Sequence, residues 1–253
     1  MSRFANTAAS TRVGADTIPR MAKLSITWLG HSTFVLRTPA GKRVIFDPWV
    51  STNPACPESA KKVGDLDLML VTHGHFDHTA DAVSLARATG AQVVAPYELS
   101  VFFQNKGLKN VVGMNPGGTL KTHGLSITMV PAMHSSSIED DGKLIYAGLA
   151  TGYVVTFEDG LTAYYAGDTS IFGDMKLIGE MYRPSIAFLP IGDLFTMGPE
   201  QAAVAAEMLG VRQVVPMHYG TFPLLTGTPA RLRELVAPNA IDVLELKPGE
   251  ASE

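Results

Sequence analysis

Apolar positions along this chain fall mostly in short runs. Leu24–Leu29, Thr33–Arg37 and Lys42–Phe46 are three closely spaced segments of strand length. The second follows Gly30-His31-Ser32, and the third ends in Asp47-Pro48. Such spacing predicts hairpins at the start of a sheet. Leu66–Val71 reads Leu-Asp-Leu-Met-Leu-Val, a nearly continuous apolar run that fits a strand covered on both faces. Thr79–Ala88 changes to helical spacing, with Ala82, Leu85 and Ala86 on one side and Thr89-Gly90 as a stop. A strand at Gln92–Ala95 and a helix at Tyr97–Asn105 follow.

From Val111 to Phe157 the pattern is strand-like, with strands expected at Thr119–Thr122, Ser126–Val130 and Tyr153–Phe157. Glu158-Asp159-Gly160 is a turn signal, and Leu161–Ala166 is the returning strand. Helices at Asp174–Tyr182, Pro199–Leu209 and Pro229–Val236 alternate with strands at Ile186–Pro190 and Gln213–Val215. Pro199 and Pro229 suit first-turn positions. Strand-rich halves with helices between them predict two packed sheets with helices outside. One domain is expected over residues 22–247, between an N-terminal extension at 1–21 and a C-terminal tail at 248–253.

Composition narrows the function. The 253 residues are 46% apolar and 17% charged, with a formal net charge of −4. This is the balance of a globular chain, and it lacks the basic footprint of a protein that grips a nucleic-acid backbone. Cys56 is the single cysteine, so no internal disulfide can form; a reducing, cytoplasmic setting is expected. No run of about 18 apolar residues occurs, so no membrane span is expected. The Ser/Thr/Ala-rich segment 1–20 has no apolar core of a secretory signal.

The chemistry concentrates after the Leu66–Val71 strand. His73-Gly74-His75-Phe76-Asp77-His78 places four metal-ligating side chains within six residues. Imidazole and carboxylate are the donors that divalent metals such as zinc take. His73 and His75 point one way in an extended segment, while Asp77 and His78 come round to face a second centre. His134, Asp168 and His218 each stand just past a strand, where binding groups gather in layered architectures. Any one of these three could be a structural histidine or a turn aspartate; together with the first loop they complete a set.

Taken together, these residues resemble the motif series of the metallo-β-lactamase superfamily. Trp28-Leu29-Gly30-His31-Ser32, Asp47-Pro48-Trp49, Gly167-Asp168-Thr169, Leu189-Pro190-Ile191-Gly192-Asp193 and Pro216-Met217-His218-Tyr219-Gly220-Thr221 resemble its metal-dependent hydrolase branch. That branch is similar to ascorbate-6-phosphate lactonases and, more distantly, to N-acyl-phosphatidylethanolamine phospholipase D. The resemblance runs from Leu24 to Thr228 and implies an α+β fold, a four-layer αββα sandwich of two mixed β-sheets.

It also implies two divalent ions, zinc by default and manganese as the alternative. His73, His75 and His134 hold the first; Asp77, His78 and His218 hold the second; Asp168 bridges them. Asp77 is the expected catalytic residue, orienting a metal-bound hydroxide that attacks a small ester, lactone or phosphoester. A small-molecule substrate and a homo-oligomer are the expected partners. Di-iron redox enzymes and RNA-processing nucleases of the same fold are the alternatives. His75, where the redox relatives favour a carboxylate, and the acidic balance count against them.

Around this set, Asp47 is read as holding a ligand histidine through its second nitrogen, or as a strand-ending turn. His31 and Asp193 are candidates to line the site or bond a ligand. Met133, Phe195, Met197, Tyr219 and Phe222 are candidates for an apolar rim, and Ser135, Ser136 and Ser137 for hydroxyls that meet substrate.

Overall fold

A computed structural model describes residues 23–252; the extension 1–21 lies outside the described residues. In chain order the first half contains β1 (Ser25–Trp28), β2 (Phe34–Arg37), β3 (Arg43–Phe46), β4 (Leu68–Leu70), α1 (Phe76–Thr79), α2 (Ala82–Thr89), β5 (Gln92–Pro96), α3 (Tyr97–Asn105) and β6 (Val111–Met114). The strands form one six-stranded sheet in sequential order β1 to β6. It is antiparallel as far as β3 and parallel from there on.

The second half contains β7 (Thr119–Thr122), β8 (Leu125–Pro131), β9 (Ser137–Asp140), β10 (Lys143–Tyr146), β11 (Thr151–Thr156), β12 (Thr162–Tyr165), α4 (Met175–Tyr182), β13 (Ile186–Pro190), α5 (Pro199–Leu209), β14 (Gln213–Met217), α6 (Pro229–Val236) and β15 (Asp242–Val243). Its main sheet has seven strands in the order β15-β14-β13-β12-β11-β8-β7, while β9 and β10 pair only with each other. Both main sheets are mixed, with helices outside, as an αββα sandwich requires.

Side-chain alternation builds the layers. Phe34, Leu36, Val44, Phe46, Leu68 and Leu70 point between the sheets, towards Ile127, Met129, Tyr153 and Val155. Their neighbours Val35, Ile45, Met69 and Val71 point the other way, to Ala82, Ala86, Leu99 and Phe103 of α2 and α3. β4 is thus buried on both faces, which is why its sequence shows no polar alternation. On the far side, α5 covers the second sheet with Ala202, Ala205, Ala206 and Leu209. Small residues there let it lie close.

Three departures from the sequence pattern matter. The helix expected from Thr79 is two pieces, α1 and α2, because Asp81 breaks the run. Its backbone N–H donates to Pro48 O, and its carboxylate accepts from the N–H groups of Val50 and Ser51. The hairpin β9–β10 stands within the strand-like stretch from Val111 to Phe157, between the strands individually expected there. Asp141 and Gly142 at its tip both have positive φ, 50° and 72°, as a two-residue hairpin turn requires. Finally, residues 249–252, set apart as a tail, lie along β1. Ser252 N–H donates to Ile26 O at 2.7 Å and Gly249 N–H to Trp28 O at 2.7 Å, with Thr27 bridged to Ala251.

Candidate metal centre

Loops following strands of both sheets converge at one edge of the sandwich. β3 delivers Asp47, β4 delivers His73 to His78, β8 delivers His134, β12 delivers Asp168 and β14 delivers His218. The loops are tied across the sheets. Thr151 N–H and Oγ1 both donate to Thr72 O, at 3.1 and 2.9 Å. His218 N–H donates to His31 O at 3.1 Å. Gly74, between two of the histidines, is required by close approach: a Cβ there would stand 2.6 Å from Ala147 Cβ and 2.8 Å from Ser137 O.

The seven expected ligands meet. His73, His75 and His134 form one group: His75 Nδ1 lies 3.1 Å from His73 Nε2 and 3.3 Å from His134 Nε2. Nitrogens held tetrahedrally around zinc stand roughly 3.4 Å apart, so this spacing suits a shared ion. Asp77, His78 and His218 form a second group, and His31 joins it. Asp168 lies between the two. Its Oδ2 is 3.0 Å from His218 Nε2, 3.3 Å from His78 Nε2, 3.7 Å from His134 Nε2 and 4.0 Å from His73 Nε2.

A further set of bonds fixes which nitrogen each ring presents. Asp47, fully buried, has all its acceptors engaged. Its Oδ1 takes Thr72 N–H at 2.7 Å; its Oδ2 takes Thr72 Oγ1–H and His78 Nδ1–H, each at 2.8 Å, and at 3.1 Å a share of the Tyr165 O–H that donates chiefly to Ser32 O. Because Thr72 Oγ1 donates to Asp47, it accepts from His73 Nδ1–H at 3.0 Å. Asp47 therefore holds His78 directly and His73 through Thr72. Both rings thus direct Nε2 inward, the nitrogen left for a metal to bind in place of a proton.

His31 is arranged by the same logic. Burial outweighs its neighbours and lowers its pKa to about 4, so the ring is neutral. Asp77 Oδ2, 2.9 Å from Nε2, can only accept. The proton is on Nε2, and Nδ1, 3.0 Å from Thr221 Oγ1, accepts from that hydroxyl. His31, Asp47 and His218 all hold left-handed backbones, with φ of 56°, 43° and 56°. Such conformations cost energy in non-glycine residues and gather at functional sites.

The electrostatics describe a site short of positive charge. Burial opposes ionisation of Asp168, yet His218 and His78 hold its pKa well below the carboxylate range. Asp77 is likewise lowered against its burial, by His78 and the His31 hydrogen bond. His78 is pushed well above the imidazole range: burial favours the neutral ring, but Asp168, Asp47 and Asp77 outweigh it. Burial is the leading cause in lowering His73, His75 and His134, which leaves their nitrogens free to coordinate. His78 Nε2 and Asp168 Oδ1 are buried with no hydrogen-bond partner. Bare buried donors converging on one point are costly without a cation, and divalent ions fit this set.

Asp193 is not brought in. It stands exposed and in none of the ligand groups, because Asp193 and Leu194 both take positive φ, 67° and 54°, and turn the loop outward. The expected rim divides. Phe195 and Phe222 line the pocket over the metal groups. Met133 is exposed, Met197 is buried core, and Tyr219 stacks on Trp28 at 5.1 Å. Of the serines, Ser135 Oγ lies 3.4 Å from His75 Nε2 and Ser136 Oγ accepts from Gly74 N–H at 3.2 Å, while Ser137 lines the pocket. Thr72, Tyr165 and Thr221 carry roles that sequence reasoning missed. Only Thr221 stood in a marked motif, beside His218.

Residues 42–219 match the family described as the Beta-lactamase superfamily domain. The chain is 52% identical over 227 residues to a UPF0173 metal-dependent hydrolase of Koribacter versatilis, covering 90% of this chain and 97% of that protein. It is 54% identical over 230 residues to one from Rubrobacter xylanophilus, covering 89% and 94%. Among solved structures it is similar to Igni18, described as a novel metallo hydrolase from the hyperthermophilic archaeon Ignicoccus hospitalis. There the identity is 37%, the coverage 90% and 97%, and the TM-score 0.81.

Proposed function

This chain belongs to the beta-lactamase superfamily and is a metal-dependent hydrolase, and from that premise we propose that it works with two divalent ions, zinc by donor chemistry, on a small ester, lactone or phosphoester. The observation that carries this reading is the position of Asp168 Oδ2 within 4.0 Å of imidazole nitrogens from both ligand groups. A carboxylate so placed serves two ions. The imidazole-rich set suits zinc, with manganese as the alternative.

When bound, a pair of such ions lowers the pKa of a water between them towards neutrality and offsets the charge that grows on the substrate oxygen. The chain's own groups do the rest. His73, His75 and His134 hold one centre, and Asp77, His78 and His218 the other. Asp47 keeps His73 and His78 in the coordinating tautomer. His31 Nε2–H pins Asp77 Oδ2, leaving Oδ1 to orient the attacking water and take its proton. A pocket of about 700 Å³, lined by His75, Asp77, His134, Asp168 and His218 among others, suits a small molecule.

Metal analysis of the purified protein should find two equivalents per chain. Chelation should abolish hydrolysis of a panel of esters, lactones and phosphoesters, and zinc should restore it. Full activity in a His73→Ala, His75→Ala double variant would overturn the reading.

A further inference from the structure

Much of the pocket wall around the metal ligands is apolar, and among the described residues it carries no cation. Phe76, Leu144, Phe195 and Leu224 line it and are between 52% and 78% exposed; Phe222 completes it. Large exposed side chains gathered around one mouth, rather than scattered, mark a binding surface. Among the described residues no Lys or Arg lines the pocket, and the one charged group there apart from the metal-site aspartates and histidines is Glu139.

The hairpin β9–β10 contributes Ser137, Glu139 and Leu144 to this wall and is anchored to do so. Its register pairs Glu139 with Leu144 and Asp140 with Lys143. Glu139 and Leu144 therefore share one face, the pocket face, while Asp140 lies on the other. There Lys106 Nζ of α3 donates to both Asp140 oxygens, at 2.6 and 2.8 Å. Ile138 packs into the core beneath α2 and α3. Leu144 is thus held over the metal site by an anchored ribbon, while Phe76, Phe195, Phe222 and Leu224 reach the same wall from the loops that follow β4, β13 and β14.

From this arrangement we propose that the substrate is an uncharged carboxylic ester or lactone carrying an aliphatic chain, and that Phe76, Leu144, Phe195, Phe222 and Leu224 select for the chain. This rests on the hydrolase reading above and deepens it. Ions held by the ligand groups would direct their positive charge at the reacting carbonyl. A second anionic group, such as the carboxylate of a β-lactam or the phosphate of a sugar phosphate, finds no cation on the wall and meets Glu139. An aliphatic chain finds surface to cover. With each methylene half-covered by the rim contributing about twofold, six methylenes give roughly 50-fold.

The test uses the full, zinc-loaded protein with p-nitrophenyl acetate, p-nitrophenyl octanoate, mono-p-nitrophenyl suberate, whose chain of the same length ends in a carboxylate, and p-nitrophenyl phosphate. The octanoate should exceed the acetate by roughly 10- to 100-fold in kcat/KM, and the suberate by about tenfold or more. Leu144→Lys should narrow the octanoate-to-suberate ratio, and Leu224→Ser the octanoate-to-acetate ratio. Both positions are exposed, and ratios within one variant are insensitive to the fraction folded.

Calorimetric binding of octanohydroxamic, acetohydroxamic and suberic monohydroxamic acids reads the same preference without turnover. If no ester is hydrolysed but octanohydroxamate binds tightest, the hydrolytic reading falls and the rim assignment holds. If esters are hydrolysed with no dependence on chain length or terminal charge, or the suberate or phosphate is preferred, hydrolysis stands and this inference is overturned.

Discussion

At the scale of single residues, Asp47 shows how one buried carboxylate sets the state of a whole cluster. It accepts from Thr72, Tyr165 and His78 and so fixes the tautomers of two histidines. Partners of this kind typically contribute 10- to 100-fold in metal affinity. Asp47→Asn preserves the shape and tolerates the left-handed φ of 43°, since asparagine visits that region as readily as aspartate. The change is therefore one of charge and proton position. Competition with a chromogenic chelator should show metal affinity weakened by roughly 10- to 100-fold with folding retained; unchanged affinity would remove Asp47 from the site. His31 and Thr221 form the matching chain on the Asp77 side. There the left-handed His31, directly after Gly30, follows from the turn between β1 and β2, which brings the ring to within 4.0 Å of the His218 ring, centroid to centroid.

At the scale of elements, β4 is the strand that positions the His73 to His78 loop, and its entry is pinned electrostatically. Asp67, just before it, accepts from Lys42 Nζ at 2.8 Å and from Arg43 N–H at 2.9 Å. Burial alone would raise the Asp67 pKa, but the Lys42 hydrogen bond, the Arg43 N–H and the Lys42 charge outweigh it and lower it from 3.8. A carboxylate depressed in the folded state stabilises the fold above its unfolded pKa, and that contribution is lost as pH falls through the folded value. The pair is partly exposed, so its contribution is on the order of 1 kcal/mol or less. Asp67→Asn should lower stability to urea at pH 7, and the difference from the parent should shrink steadily as pH falls below the ordinary carboxylate range. A difference that persists in acid would mean the side chain acts through shape alone.

Elements also show where sequence reading succeeds and where it stops. β4, α3, α5 and α6 were legible because their apolar periods or first-turn prolines are local properties. The hairpin β9–β10 carries an Asp-Gly turn signal at Asp141-Gly142, yet among its strand residues only Ile138 is buried. They lack the alternation that burial imposes, and a strand kept for the pocket has no core period to reveal it. The break between α1 and α2 depends on Asp81 reaching residues 48, 50 and 51, a long-range contact that no window of sequence contains.

At the scale of the molecule, the convergence of the seven candidate ligands was legible because each follows a strand, and parallel strands carry their trailing loops to one edge. The supporting shell was not, because Thr72, Tyr165 and Thr221 are ordinary residues until the sheets pack. That packing makes the metal site a clasp. Asp47, His73, His75, Asp77 and His78 come from the first sheet, and His134, Asp168 and His218 from the second. Ions held by both groups, as proposed, would cross-link the sheets at one edge. A ligand present at a thousand times its dissociation constant stabilises the folded state by about 4 kcal/mol. In a chain of this size that raises Tm by roughly 8 to 16 °C. Chelation should remove that increment in a calorimetric scan, and zinc should return it. The sheets should nonetheless stay together, because Tyr153 O–H still donates to Val71 O at 2.8 Å across the core and Thr151 still bonds Thr72. Far-UV circular dichroism of the chelated protein should therefore match that of the loaded protein at 25 °C. Equal Tm values with and without metal would show that no ion joins the two sheets.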